Sequence, residues 1–206
     1  LDTFKELGEL DNVIVIYSSD HGLAMGSHGL FGKQNLYEHS MRSPLIYAGP
    51  GIKPGRSQAL TYLFDIFPTV CDLAGVKAPD GLDGQSAAPV IRGEKATHRE
   101  TIFLSYEKGQ RAVRQGDWKL YRFPLVNYSM LFNLKNDPHE LDNLAGDAEQ
   151  SRRVAAMMDL LAAEQSHWND PHPHTAQSPT PAEIRDVSFF AEGAKGQRGK
   201  GAKQKR

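Results

Sequence analysis

Apolar positions along this chain change period twice. Phe4, Leu7 and Leu10 recur at helical spacing, which predicts the end of a helix, and Asp11-Asn12 predicts a turn after it. Val13 to Tyr17 is an unbroken, β-branched run, the pattern of a strand covered on both faces as in a parallel sheet flanked by helices. A short helix is expected over Gln34 to Arg42, with Leu36, Tyr37 and Met41 as its apolar markers. Pro44 ends it, and Leu45 to Ala48 reads as a second strand. Gly49-Pro50-Gly51 and Pro54-Gly55 are turn punctuation before an extended link over Arg56 to Tyr62. A helix over Ile66 to Ala74 follows, with Asp65 as its cap, Pro68 near its start and Gly75 as its stop.

From Thr101 the period becomes two. Ile102 to Tyr106, Gln110 to Arg114, Trp118 to Arg122 and Met130 to Leu134 read as four short strands of an antiparallel meander. Arg111, Arg114, Lys119 and Arg122 are expected on a solvated strand face, or else against an anionic substrate, and Trp118 in the core. Glu149 to His167 carries Val154, Met157, Met158, Leu160 and Leu161, an amphipathic helix. Asn169 to Pro181 then reads as a Pro-rich linker, whose His172 and His174 are too few for a compact metal site. Lys195 to Arg206 is basic and Gly-rich, a pattern expected to be disordered.

Composition narrows the function classes. The 206 residues are 39% hydrophobic and 24% charged, ordinary values for a globular chain with a real core. A net charge of −1 gives no global field for nucleic acid or an anionic membrane. No apolar run approaches the ~20 residues of a spanning helix. The single cysteine, Cys71, excludes an intrachain disulfide and falls on the apolar side of the Ile66 to Ala74 helix, where a buried structural thiol is expected.

The chemistry concentrates after the first strand. Ser18, Ser19, Asp20, His21 and Gly22 follow it directly, and ligands of open α/β sheets bind at that carboxyl edge. Asp20 offers a hard oxygen and His21 an imidazole nitrogen. A divalent ion held there could polarise an anionic ester as a Lewis acid. Lys33 suits an anionic oxygen, and His28 could donate a hydrogen bond or shuttle a proton. Each residue alone is also compatible with turn chemistry or a solvated loop; the spacing of the set points to an anion-processing metal site.

Taken in order, SSDHG, GSHGLFGK, LYEHSMRSPLIYAGPG and FDIFPTVCDLAG resemble the C-terminal half of the type I sulfatases, in the alkaline-phosphatase superfamily. RAVRQGDWKLYRF and LFNLKNDPHELDNLAG resemble the sulfatase C-terminal subdomain and its continuation, and the likeness covers about residues 10 to 145. The resemblance implies an α/β fold: the C-terminal portion of an alkaline-phosphatase-like sandwich over residues 1–93, then an antiparallel-sheet and helix subdomain over 94–168. Residues 169–206 are left as linker and tail.

It implies Asp20 and His21 as ligands of one calcium ion. Lys33 becomes a sulfate contact and catalytic group, and His28 a substrate-side, catalytic histidine. Glu38 and Arg42 would shape the site floor, although an i,i+4 pair on a helix surface would explain them equally. The implied activity is hydrolysis of sulfate esters of a small molecule or carbohydrate by a formylglycine nucleophile. A phosphonate monoester or phosphodiester hydrolase and a non-catalytic anion-binding fragment are the alternatives. The Cys/Ser-x-Pro-x-Arg motif that yields formylglycine, and the family's early paired aspartates, do not occur in this sequence. The chain, which opens at Leu1, is therefore expected to be the C-terminal piece of a longer protein. A periplasmic, secreted or lysosomal setting is what the family implies, with no nucleic-acid partner.

Overall fold

The computed structural model describes residues 1–180. The basic segment Lys195 to Arg206 and the end of the Pro-rich stretch lie outside the described residues.

The first half is built of short elements. Helix α1 (Asp2–Glu6) precedes strand β1 (Val15–Ser18), and a hairpin of β2 (Ala24–Met25) and β3 (Phe31–Gly32) follows. Helix α2 (Glu38–Met41) leads into β4 (Leu45–Ala48). Helices α3 (Ile66–Leu73) and α4 (Ala88–Ile91) complete this part. The expected double-sided burial of the first strand is corrected here. β1 pairs antiparallel with β4, Tyr17 opposite Ile46, and no residue of either strand is fully buried. Each strand has only the other as its ladder partner, so one apolar face stays open: Tyr17 is 62% and Ile46 56% exposed.

The second half is a four-stranded antiparallel sheet in the order β5 (Thr101–Tyr106), β6 (Gln110–Gln115), β7 (Trp118–Phe123), β8 (Tyr128–Asn133). Both of its faces are covered. Phe103, Val113, Leu120 and Leu131 pack against Met157 and Leu161 of helix α5 (Ser151–His167). Ala112, Tyr121 and Phe132 of the opposite face pack against Leu36, with Tyr37 and Met41 beside them. Alternation along each strand sends neighbouring residues to these two layers.

The strand cations are therefore not on a solvated face. Arg111, Lys119 and Arg122 are all buried, because every face of the sheet has a covering layer. Arg111 is paired with Asp170 (Nε–Oδ2 2.5 Å), and Arg122 donates to the His174 carbonyl at 2.9 Å and to the Asn127 and Ser129 side chains. Trp118 lines the core beside α5, with the Arg153 guanidinium 3.9 Å above its ring.

The same contacts correct the picture of a free linker after Trp168. Through residue 180 the chain is fastened along the sheet. Asp170 holds Arg111, His174 bonds Gln165 at 2.8 Å, Asn127 donates to Ala176, and Thr180 reaches the Leu125 carbonyl. His172 and His174 thus belong to a strap, and Cys71 is half-buried rather than enclosed.

Asp65 ties the two halves. At 1% exposure it makes no side-chain cap bond to the helix Ile66–Leu73, the role expected of it; it accepts instead from the Tyr62 amide (2.8 Å), closing the turn Leu63–Asp65 ahead of that helix, and from the Gln85 amide, Arg99 and His98. Burial alone would raise its carboxyl; Arg99 and the two amides hold it below the ordinary carboxylate value. A depressed folded-state pKa stabilises the fold above the unfolded value and is lost as pH falls through the folded one. Asp65→Asn removes the anion and leaves Arg99 buried without it. It is expected to lower stability by about 3–5 kcal/mol and to flatten the acid-side loss of stability below pH ~4. Urea midpoints measured from pH 7 to pH 3 check both; parallel curves for the two proteins would refute the role.

Candidate functional site

The turn after β1 is set by a close approach. The Gly22 amide donates to the Ser40 carbonyl at 2.8 Å, and a Cβ at Gly22 would overlap the His39 carbonyl. Only glycine lets the chain pass this near α2, and the passage fixes where the two preceding side chains emerge.

Asp20, His21 and Lys33 emerge together. His21 Nε2 lies 3.0 Å from Asp20 Oδ2, and the Lys33 ammonium is hydrogen-bonded to the same Nε2. His21 Nδ1 bonds the Gly22 carbonyl at 2.8 Å. A carbonyl only accepts, so this bond assigns a hydrogen to Nδ1, and an ammonium only donates, so the bond from Lys33 takes the lone pair of Nε2. An imidazole lone pair and a carboxylate oxygen that converge at 3.0 Å repel unless a cation lies against both. Lys33 occupies that position for His21. The same two donors fit a divalent cation, with Nδ1–H on a backbone carbonyl orienting the ring as in metal-bound histidines. They supply a small part of the six to eight ligands that calcium takes. Among the described residues no three His, Cys, Asp or Glu side chains form a metal cluster.

His28 is placed elsewhere. Its Nε2 donates to the His139 carbonyl at 2.9 Å, and its ring stacks on Tyr37 with centroids 4.0 Å apart. With Ser27, His39, Pro138, His139, Glu140 and Leu141 it lines a separate hollow of about 230 Å³. No hydrogen bond or ring contact joins it to the Asp20 trio among the described residues. The His39 imidazole is held below its ordinary pKa by burial, then by His28 and Lys119.

Glu38 departs from the expected surface pair. It does not pair with Arg42, which stays exposed. Its carboxylate receives Lys119 (3.0 Å) and Arg114 (2.8 Å), and Lys119 also contacts Glu140 at 2.9 Å. Burial would raise the Glu38 carboxyl, but Lys119 and Arg114 bring it below the ordinary value. Sequence reading put Lys119 on a solvated strand face or against a substrate, and did not single out Glu140. The available signal was a lysine alternating with tyrosine in an apolar strand, on the face that Tyr121 shares with the core.

Residues 26–167 match the family described as N-sulphoglucosamine sulphohydrolase, C-terminal. The N-acetylglucosamine-6-O-sulfatase of Bacteroides thetaiotaomicron is 34% identical over 187 residues, which cover 84% of this chain and 34% of the relative. The choline-sulfatase of Rhizobium meliloti is 36% identical over 181 residues, 82% of this chain and 34% of the relative. This chain thus spans about a third of the length of these curated relatives. Among solved structures, one of a protein in complex with its substrate D-glucosamine-2-N,6-O-disulfate superposes with a TM-score of 0.76 at 34% identity, covering 84% of this chain and 38% of that one. The phosphonate monoester hydrolase of Agrobacterium radiobacter superposes with a TM-score of 0.67 at 27% identity, covering 81% and 37%. The α/β arrangement with its small antiparallel sheet and terminal helix is that of the sulfatases.

The His21 assignment is open to measurement. A long-range 1H–15N spectrum is expected to show the Nδ1–H tautomer for His21, and Lys33→Met to shift Nε2 far more than Nδ1. An Nε2–H pattern would contradict the arrangement.

Proposed function

On the premise that this chain belongs to the family of N-sulphoglucosamine sulphohydrolase C-terminal domains, we propose that the whole protein hydrolyses sulfate esters and that Asp20, His21 and Lys33 are this chain's share of the sulfate pocket. The observation that carries this reading is the meeting of a carboxylate, an imidazole lone pair and an ammonium at the end of β1. Such a set binds an anion only through its cations, and among the described residues Lys33 is the one that meets the imidazole there.

A calcium ion, when bound, would supply Lewis-acid polarisation of the sulfate oxygens, with Asp20 and His21 among its ligands. The rest follows from the chain. Lys33 places positive charge where the non-bridging oxygens gain negative charge, a preorganised electrostatic contribution that needs no rearrangement at the moment of reaction. The Gly22 carbonyl on Nδ1–H keeps the His21 ring from turning. The nucleophile comes from outside this chain, a formylglycine by family. A sulfated carbohydrate is the substrate class favoured, since the relative named N-acetylglucosamine-6-O-sulfatase and a neighbour in complex with glucosamine disulfate are each similar over 84% of this chain. Phosphonate monoesters are the second reading, favoured by the hydrolase of that name.

Lys33→Ala in the whole protein is expected to lower kcat on an aryl sulfate by on the order of 10²-fold or more. Asp20→Ala is expected to abolish turnover together with calcium binding measured by calorimetry. Aryl sulfate and aryl phosphonate assayed side by side separate the two substrate readings. Wild-type rates in Lys33→Ala would remove the lysine, and with it this assignment of the pocket.

A further inference from the structure

The stretch from Gln34 to Ser40 lies between the anion site and the antiparallel sheet, and it is fastened to both. On the sheet side, the Gln34 carbonyl accepts from Gln110 (3.1 Å) and the Leu36 amide donates to the Tyr121 hydroxyl (3.1 Å). The Glu38 amide donates to Glu140 Oε2 (2.6 Å). The Glu38 carboxylate holds Arg114 of β6 and Lys119 of β7, and Lys119 closes the circuit on Glu140. Lys119 is fully enclosed, and the side chains of Glu140 and Glu38 are 1% and 14% exposed. On the site side, α2 presents the Ser40 carbonyl to the amide of Gly22, the residue after His21. Lys33 is followed directly by the fastened stretch.

Two cations and two carboxylates thus meet with no net charge. The group is worth little as a stability device: a buried ion pair against well-packed apolar residues of like volume is commonly neutral or unfavourable. Its geometric consequence is more specific. Lys119 and Arg114 are fixed by the ladder register, Arg114 opposite Lys119, so their charges mark one point on the sheet. Glu38 must sit over that point. A one-residue slip of α2 would bury Glu38 without its cations and would break the Ser40–Gly22 bond. Glu140 adopts a left-handed backbone conformation (φ 57°), an unfavourable one for a glutamate, to bring its carboxylate to both the Glu38 amide and Lys119.

We propose that Glu38 and Lys119 are positioning residues for the Asp20–His21–Lys33 site, acting through α2 and its bond to the Gly22 amide so that the antiparallel sheet sets where the site's imidazole and ammonium stand. The proposal rests on the reading of that trio as the sulfate pocket. A displacement near 1 Å at a charge-stabilising group can cost on the order of 10² in rate while leaving ground-state binding nearly intact.

The test uses the whole protein and an aryl sulfate. Lys119→Met is expected to lower kcat at least tenfold with KM changed less than threefold. Lys119→Arg, which keeps a cation between the carboxylates, is expected to recover most of the loss. Glu38→Gln, close to isosteric, supplies the same readouts should Lys119→Met fail to fold. Leu161→Ala is the control: it opens a cavity on the opposite face of the same sheet, and is expected to lower Tm comparably with kcat unchanged. Hydrogen exchange of the Gly22 amide is the second readout, expected to accelerate at least tenfold in Lys119→Met and Glu38→Gln but not in Leu161→Ala. Unchanged Gly22 exchange, or a kcat loss that tracks Tm equally in all variants, would overturn the proposal. A wild type inactive on sulfate and phosphonate esters would sink the substrate reading, while Gly22 exchange would still decide the positioning.

Discussion

Lys119 stands fully enclosed between Glu38 and Glu140, and most of the architecture follows from what that enclosure requires. An ammonium without a partner in such a place would lose its proton or draw in water. Two carboxylates must reach it, one from the stretch after Lys33 and one from the loop after β8. Those two segments are distant in sequence, and their meeting fastens the stretch after Lys33 to the antiparallel sheet. Removing one member of a buried set of this kind commonly costs about 3–5 kcal/mol, because the remaining charges stay buried. The set therefore behaves as a lock on one arrangement more than as a source of net stability.

The sheet works in two directions because both its faces are covered. Helix α5 and the strap after Trp168 close one face, through Met157, Leu161 and the Arg111–Asp170 pair. The stretch from Gln34 to Met41 closes the other, through Leu36 and Tyr37 against Tyr121 and Phe132. A site segment of irregular loop and one-turn helix has little rigidity of its own. Laid on a sheet whose register is fixed by continuous ladders, it gains a stiffness that its own short elements do not supply.

Local pattern made much of this legible. Leu45 to Ala48, Ile66 to Leu73, the four strands of the meander and α5 all fall where apolar periodicity places them, because each has a face to bury and turn residues at its ends. The meeting of Asp20, His21 and Lys33 followed from motif order. Other features were hidden for a common reason: each depends on a partner far away in sequence. A lysine and three arginines on strands read as solvent-facing under a rule that assumes one open face. Asp170 makes Arg111 interior, Glu38 and Glu140 do so for Lys119, and the His174 carbonyl with the Asn127 and Ser129 side chains does so for Arg122, while Arg114 lies half-buried on Glu38. The prolines after Trp168 read as a linker, yet Gln165, Arg122 and Asn127 supply the bonds that hold that stretch in place. The burial expected for β1 failed because, among the described residues, β4 is its only ladder partner.

His28 shows how a motif position can be separated from the role its neighbours suggest. Its backbone is left-handed (φ 55°), as is that of Glu140, and the bond from His28 Nε2 to the His139 carbonyl joins the loops that carry these two strained residues. The ring is held flat on Tyr37, whose hydroxyl burial pushes up to about 12 and whose ring also meets His39 of α2 and Tyr121 of the sheet. Strain of this kind persists where surrounding contacts over-determine the backbone. Nε2 is committed to a carbonyl and the ring to a stack, so the structure gives His28 the features of a joint between the β2–β3 hairpin and the loop after β8. A proton shuttle needs a ring nitrogen within reach of the reacting group. Among the described residues Nδ1 of His28 has no hydrogen-bond partner, and it is the ring nitrogen that such a role would have to use.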